Sequence, residues 1–355
     1  MPMPIPATQT AVVQDAAGLP IIVHDATVPK LRPGTVLVKT AAVALIPSDY
    51  KMGKTFPSLG ARVGMDFAGR VAALDTAARP DLKIGDRVCG IVHGSNPADL
   101  ESGSFAQYVL ARSELLLRVP ENWSMAEAST LGSTLFTNCL ALWSALRIVE
   151  TPEGPAEEPT PVLVYGGSTT CGTMAIQLLS LSGFDPIVTC SARHFDLVRS
   201  YGAAAVFDHM SSEVGPSIRS STRGKIRCAL DCITSRESAA CCCAAIGRPG
   251  GRYACLEAFE PDWITRGAVK GEFVMGLEAL GGEIKLGRPY GRQPSREMHE
   301  LAIRFASMFQ RLLDGGKLKA HPVEVISQSF EGILEGLSLL RSGSVSGKRL
   351  VVSFE

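Results

Sequence analysis

The chain has 355 residues and a mass of 37.7 kDa, too long for one ordinary core and comfortable for two domains. Hydrophobic residues make up 46% and charged residues 20%, which supplies a buried core and excludes global disorder. Lys plus Arg and Asp plus Glu both number 35, so the neutral chain carries no electrostatic footprint for nucleic acid or an anionic membrane.

The first residues, MPMPIPATQT, lack the basic start and apolar run of a secretory signal. No apolar stretch reaches the roughly 18 residues of a membrane span. Of the ten cysteines, Cys241, Cys242 and Cys243 are consecutive and most others lie singly in apolar segments such as IVTCS and ALDCI. Such residues act as small hydrophobes, and a reduced, cytoplasmic protein is expected. The six histidines are scattered and no Cys-x-x-Cys pair occurs, so no metal is expected.

Taken in order, Thr35–Leu45, Arg62–Leu74, Leu82–Val92 and Gly103–Ala111 read as strands, with Gly85-Asp86 as a turn. From Ser124, MAEASTLGSTLFTNCLALWSAL has helical periodicity. Thr151–Pro161 is rich in proline and acid and reads as a surface linker. Beyond it, strands VLVYGG, PIVTCS, AAVFDH, RCALDCI and GRYACLE are interleaved with helices TMAIQLLSLSG, HFDLVRSYG and SAACCCAAIG. That alternation predicts a parallel, doubly wound sheet of the Rossmann kind over residues 161–296. Two amphipathic helices and a last strand, GKRLVVSFE, close the chain.

The most informative stretch is Val162–Leu178, where a strand ends in Gly166-Gly167-Ser168-Thr169-Thr170-Cys171-Gly172 and a helix follows at once. A helix N-terminus offers N–H groups and partial positive charge to a pyrophosphate. Gly166 suits the tight turn, Gly172 the close packing of helix on strand, and the hydroxyls of Ser168, Thr169 and Thr170 can donate to phosphate oxygens. Thr169 stands where a strict G-x-G-x-x-G has its middle glycine, and an ordinary turn without a ligand is the alternative. The next strand runs into Ser191-Ala192-Arg193-His194 with no acid before Asp196. An acid there holds the ribose of NAD, whereas Ser and Arg suit a 2′-phosphate. NADPH is therefore favoured over NADH, with a merely solvated Arg193 as the alternative.

The chain resembles the medium-chain dehydrogenase/reductase superfamily over nearly its whole length, in AAVALIPSDYKMG, GMDFAGRV, IGDRVCG, GSFAQYV and VLVYGGSTT through QLLSLSG. Within it, LVYGGSTT, TCSARHFDL, ALDCITSRES, AAIGRPGG, RPYGR and VSGKRLVV resemble the fungal trans-acting enoyl reductases of polyketide synthases, lovastatin type. The resemblance implies a GroES-like β-rich substrate domain built from residues 1–155 and 297–355, a Rossmann domain at 161–296, and a cofactor in the cleft between them. Zinc enzymes of the superfamily carry a cysteine just before Ser-Asp and a Gly-His-Glu segment. Here Pro47-Ser48-Asp49 and Gly64-Met65-Asp66 stand instead, and methionine is no substitute for imidazole on zinc. A zinc-independent enzyme is expected.

Without a metal, hydrogen-bond donors or charge must polarise the carbonyl. The resemblance puts Ser48, Asp49, Tyr50 and Lys51 beside the nicotinamide and substrate, with Lys51 holding ribose, oxyanion or proton and Tyr50 a candidate donor. It puts Thr137 near the nicotinamide, His209 near adenine, Leu256 and Glu257 on the nicotinamide through their backbone, and Val345-Ser346 over the cofactor. Asn138, Cys139, Leu140, Ala141, Leu142, Trp143, Ser144 and Ala145 would line an apolar substrate trench. Gly276, Leu277, Glu278, Ala279 and Leu280 would form another part of its wall. Each has an ordinary alternative: Lys51 a surface charge, Thr137 a hydroxyl bonded to its own helix, Asp49 a turn cap, the trench residues plain core.

The implied reaction is reduction of an α,β-unsaturated thioester held on the carrier domain of a polyketide synthase or hybrid synthase. Lys51, Lys54, Arg288 and Arg292 are candidate basic residues for an acidic carrier. The alternatives are a stand-alone NADPH quinone or 2-alkenal reductase and a catalytically silent scaffold. A monomer is expected, since Gly281-Gly282 and Pro289 would interrupt a pairing edge strand.

Overall fold

The structure, a computed structural model, describes residues 4–355, and every count or absence below refers to them. It divides into two compact units, one made of the chain up to Ser133 with Leu277–Glu355, the other of Thr134–Gly276.

In the first unit, β1 (Thr8–Gln14) and β2 (Pro20–Thr27) pair antiparallel. Neither shows in the sequence, because β2 is mostly half-exposed and carries His24 and Asp25 without a clean alternation. Strand β3 (Thr35–Ala44) is flanked by β4 (Asp66–Leu74) and β6 (Tyr108–Arg112). It leads into helix α1 (Pro47–Thr55). The expected strand from Arg62 starts only at Asp66: Gly64 has φ of 94°, a left-handed turn pressed against Ser104 and Phe105. Strand β5 (Arg87–Ile91) pairs with β4 and with the two-residue β7 (Leu117–Arg118). Helices α2 (Met125–Ala128) and α3 (Leu131–Cys139) follow.

The second unit is one parallel sheet. Its strands β8 (Pro161–Tyr165), β9 (Asp185–Cys190), β10 (Ala205–Asp208), β11 (Cys228–Asp231), β12 (Gly251–Cys255) and β13 (Val269–Phe273) run in the order 10-9-8-11-12-13. Helices α4 (Thr170–Leu181), α5 (Phe195–Ser200), α6 (Val214–Ser221) and α7 (Arg236–Ala245) make the crossovers. This is the doubly wound arrangement expected, with β13 and α6 added to it. The three consecutive cysteines are buried on α7, and all ten thiols are free. The chain then returns to the first unit through α8 (Arg296–Asp314), β14 (Val323–Ser327), α9 (Phe330–Arg341) and β15 (Arg349–Ser353). Strand β15 pairs with β3, so the two chain ends share one seven-stranded sheet. Ile333 and Leu337 of α9 bury against Val43, Leu45 and Val352 in its core.

The units divide inside α3 and after Gly276, earlier than the expected breaks at 155–161 and 296. After α3 the helix widens into a π-helical turn, Leu140–Ala145, that packs on β12. In turn, the segment after Gly276 is held by first-unit partners: Gly281 lies against His299, and the Phe56 and Tyr290 rings meet edge-on at 5.6 Å. Gly281 has φ of 75°, and no strand forms in this segment.

One buried cluster joins three distant segments of the first unit. Asp66, at the head of β4, accepts the Ser133 N–H at 2.5 Å and the Ser133 hydroxyl, and pairs with the Arg349 guanidinium of β15 at 3.2 Å. Its side chain is fully buried and that of Arg349 is 10% exposed. Removing one partner of such a pair leaves an uncompensated charge. Arg349→Met is expected to cost about 3–5 kcal/mol in urea unfolding, and the double variant with Asp66→Asn much less. A single-variant cost below about 1 kcal/mol, the level of a surface pair, would refute this account.

Candidate active site

In the second unit β8 is buried between β9 and β11 and ends in the glycine turn. Gly166 has φ of 77°, as expected for the tight turn. A Cβ on Gly172 would lie 2.5 Å from the Gly166 carbonyl oxygen, and one on Gly167 would lie 2.2 Å from a Val188 methyl. Helix and strand can approach this closely only because those side chains are missing. Thr169, expected to donate to phosphate, is instead the N-cap of α4. Its hydroxyl accepts from Gly172 N–H at 3.0 Å and donates to Gly166 O at 2.8 Å. Ser168 and Thr170 flank it half-buried. The remaining first-turn N–H groups are those a helix leaves without internal partners.

At the end of β9, the Ser191 hydroxyl meets His209 Nε2 at 3.1 Å. Ala192 and Arg193 are exposed, and Arg193 Nε donates to His194 Nε2 at 3.3 Å. Burial first, and then the neighbouring Arg193 cation, pulls His194 below the ordinary histidine range. At the end of β11 the buried Asp231 accepts from Ile233 and Thr234 N–H at 2.9 Å each, from Ser238 Oγ at 2.5 Å and from Tyr253 OH at 2.8 Å. This clasp fixes the loop whose Ile233 borders Gly166. No sequence motif announces it, since its partners are spread over 22 residues. Thr234 also takes the Leu256 N–H at 3.3 Å, and Glu257 accepts from Ala258 N–H through its own carboxylate at 3.1 Å.

Thr137 is brought against Gly276, where a Cβ would sit 2.4 Å from the Thr137 hydroxyl. That hydroxyl bonds no backbone group of its own helix, unlike Ser129 and Thr130 just upstream. Asn138 donates to Thr134 O at 2.9 Å and Cys171 O at 3.1 Å, tying α3 to α4. Cys139, Leu140, Ala141, Leu142 and Ala145 are buried, while Trp143 and Ser144 are half-buried, with Trp143 Nε1 donating to Glu150 O at 2.9 Å. In this structure the five buried residues are packed core and present no open face.

In the first unit the start of α1 is capped from its third residue: Asp49 Oδ2 accepts Ile46 N–H at 2.8 Å, the half of a capping box that an Ile46 N-cap allows. Burial pushes Asp49 well above the usual carboxylate range, helped by neighbouring Asp66 and opposed by the Ile46 bond and Arg349. Asp49 thus caps the helix, as its alternative reading had it. Ser48 is half-buried, and Lys51 and Lys54 are exposed on α1. The Tyr50 ring packs on the hydrophobic core with the Arg341 guanidinium 5.7 Å above it. Met65 is buried where the zinc relatives have histidine, Asp66 is taken by Ser133 and Arg349, and no group of three or more His, Cys, Asp or Glu could hold a metal. Val345 packs on the core beside an exposed Ser346.

The same unit holds a cavity of about 330 Å³ lined by Val92, Leu110, Leu277, Leu280 and Ile284, with Arg32, Asp99 and Glu101 among its charged residues. It brings Leu277 and Leu280 of the expected substrate wall together with the β5 and β6 segments. Ala279 is buried, and Glu278 pairs with Arg292 at 3.5 Å.

A family model, the alcohol dehydrogenase GroES-like domain, matches residues 32–121. A trans-enoyl reductase of Penicillium oxalicum is 46% identical over 353 residues, covering 98% of this chain and 93% of its own. One of Aspergillus clavatus is 45% identical over 354 residues, covering 98% and 97%. The chain belongs to the trans-enoyl reductases. The crystal structure of CurK enoyl reductase superposes with a TM-score of 0.74 at 17% identity, covering 98% of this chain and 99% of its own. A Novosphingobium aromaticivorans protein of the alcohol dehydrogenase superfamily gives 0.78 at 20%, covering 98% and 99%. These two share the fold.

This trans-enoyl reductase is therefore an oxidoreductase of the medium-chain dehydrogenase/reductase superfamily that takes a nicotinamide cofactor. The residues present fit one: the side-chain-free cradle at Gly166, Gly167 and Gly172 lets backbone approach a pyrophosphate at the head of a 12-residue helix. Gly172→Ala is expected to weaken nicotinamide-cofactor binding at least about tenfold, a 1.4 kcal/mol effect, by fluorescence titration; unchanged affinity would refute the cradle. Asp49 gives a pH signature. Its raised folded pKa means that the group's stabilising contribution is complete below the unfolded carboxylate value near about 4 and is lost as pH rises towards the folded value. Asp49→Asn keeps an acceptor for Ile46 N–H and removes the titration. Its urea midpoint should gain on wild type steadily from pH 5 to pH 8, and a pH-independent difference would contradict it.

Proposed function

We propose that the protein reduces an α,β-unsaturated acyl thioester carried on a partner polyketide synthase or hybrid synthase, using NADPH, as a monomer in the reducing cytoplasm. The observation that carries this reading is the 43–46% identity to trans-enoyl reductases over 98–99% of the chain. When bound, the nicotinamide would supply the hydride for the β-carbon of the thioester. Charge then moves onto the thioester oxygen, and the α-carbon takes a proton. Lys51 is the residue we assign to that oxygen, as a cation on the capped helix α1. The Thr137 hydroxyl, with Gly276 beside it, is assigned to the nicotinamide edge. Tyr50 is the weaker donor candidate, because its ring is engaged with Arg341 and the core.

The preference for NADPH rests on Ser191 and Arg193 after β9 and on His209 after β10: the chain after β9 carries no acid before Asp196, and the neighbouring carboxylate is Asp208 of β10, paired beside Cys190. Ser168, Thr170 and the backbone of the glycine turn serve the pyrophosphate, and Leu256, Glu257, Val345 and Ser346 the nicotinamide half. Lys54 and Arg288 are exposed, and the Phe56–Tyr290 contact holds their segments together, which suits an acidic carrier domain. Arg292 is committed elsewhere, to Glu278 and the carbonyls of Pro289 and Gly291. The short edge strand β13, with exposed Lys270 and Glu272, supports the monomer.

The test follows cofactor oxidation at 340 nm with an enoyl pantetheine thioester, a free quinone and a free 2-alkenal, each with NADPH and NADH, for wild type and Lys51→Ala. We expect turnover of the thioester with NADPH and a loss of about 100-fold in the variant. Reduction of quinone or alkenal with the thioester ignored would overturn the reading.

A further inference from the structure

The second unit has an open hollow of about 670 Å³ that the reduction does not use. Pro216, Ala244 and Pro249 give it an apolar floor, and Arg219, Arg223 and Arg248 stand around it with no carboxylate among the lining residues. It lies where α6 and α7 end, just before the first residues of β11 and β12, Cys228 and Gly251. The glycine turn follows the opposite end of β8, which runs parallel to β11. Hollow and cofactor cradle thus occupy opposite edges of one sheet, and cofactors bind outside the carboxyl ends of the strands.

The charge here is concentrated. The chain as a whole is neutral, yet from Val214 to Leu230 it carries Arg219, Arg223, Lys225 and Arg227 and no acid. Among the described residues, no ion pair or hydrogen bond engages the side chain of Arg219, Arg223 or Arg248. Neutralising helix ends does not account for them. Two helix C-termini together carry about one negative charge, and their carbonyls are already met. Arg266 donates to Cys243 O at 2.7 Å, Ile246 O at 2.6 Å and Gly247 O at 2.8 Å after α7. Gly224 N–H closes on Arg219 O at 2.8 Å after α6. Arg223 is also held at φ of 52°, in the position after a helix where glycine is the ordinary and unstrained choice. The two walls are locked together, since a Cβ on Gly247 would come 2.1 Å from Gly224 O.

An apolar floor ringed by unpaired guanidiniums matches an acidic peptide segment that inserts an apolar side chain. A lone phosphate fits less well, because Arg223 and Arg248 are exposed and Arg219 is half-buried, so nothing strips such an ion of water. No aromatic side chain lines the hollow for a nucleic-acid base to stack on.

We infer that this hollow docks an acidic, apolar-anchored segment of the partner synthase, a second hold on the protein that carries the substrate. The inference rests on the carrier-bound reading of the function and adds a contact with the same partner. Set on the edge away from the glycine turn, the contact can persist while cofactor exchanges. A second contact raises the effective concentration of a tethered chain without touching the chemistry.

The experiment compares wild type with two triple variants, one carrying Arg219→Glu, Arg223→Glu and Arg248→Glu and the other the three corresponding changes to Lys. Each is given the free enoyl pantetheine thioester and the same chain loaded on the intact synthase, and its affinity for the unloaded synthase is measured at about 0.15 M salt. The Glu variant should lose at least about tenfold in affinity and in kcat/KM on the loaded synthase, with turnover of the free thioester unchanged. The Lys variant, which keeps the charge but not the bidentate fork, should retain part of both. A labelled peptide alternating glutamate and leucine should compete with the synthase, and pyrophosphate should not. Undiminished binding and turnover of the synthase by the Glu variant, an equal loss on both substrates, or competition by pyrophosphate alone would overturn the docking site and leave the reduction reading standing. Loss of synthase binding in the Glu variant, with neither substrate reduced by wild type, would do the reverse, supporting the docking site and sinking the reduction.

Discussion

The first unit depends on how one cation is shared between two buried carboxyls. Asp66 is held by Ser133 and Arg349 at hydrogen-bond distance, so the guanidinium is largely committed to it. Asp49 feels the same cation more weakly, feels Asp66 as a like charge, and is itself buried. A second ionised carboxylate there would be uncompensated, which is why Asp49 is driven towards its neutral form. Geometry follows from this balance. Asp66 pairs with Ala44 at the end of β3, and α1 begins three residues later with Asp49 as its cap. The charges beneath α1, and beneath Lys51 on it, come from Asp66 of β4 and Arg349 of β15, with Ser133 of α3 donating its N–H and hydroxyl to Asp66.

What the sequence makes legible is what local chemistry alone decides. Gly166 and Gly172 stand out because a left-handed turn and a close helix–strand approach exclude side chains. The alternation of buried strands with helices announces the parallel sheet. The Asp66–Arg349 pair could not be read in this way, since its partners lie 283 residues apart. Thr169 marks a different limit. A hydroxyl after a glycine turn can face a phosphate or cap the helix, and only the backbone direction decides between them. Strands β2 and β14 escaped because half-exposed and exposed positions blur the period-two signal. The π-helical turn after Cys139 escaped because its composition is that of any buried helix.

In the second unit, hydroxyl groups divide between scaffold and ligand. Thr169 and Ser238 spend theirs on helix starts and on the Asp231 clasp, and Ser191 has His209 as its partner. Thr137 keeps its hydroxyl outside the backbone ladder, against Gly276. A mid-helix threonine ordinarily bonds the carbonyl three or four residues back, so this departure marks Thr137 out from Ser129 and Thr130. Local rules fail most informatively where a ligand is expected.

The segment after Gly276 shows how packing decides what a stretch of chain does. Had it extended β13, it would have presented an unpaired edge to another sheet. Instead Gly281 turns it back in the left-handed region, Ile284 and Arg292 pair across it, and Tyr290 meets Phe56. Leu277, Leu280 and Ile284 thereby become one side of a cavity whose other side is β5 and β6. In the function proposed above, hydride transfer is chemistry that the nicotinamide brings. The chain's own task is to shape walls, and a wall folded from an irregular segment can change shape without disturbing either sheet.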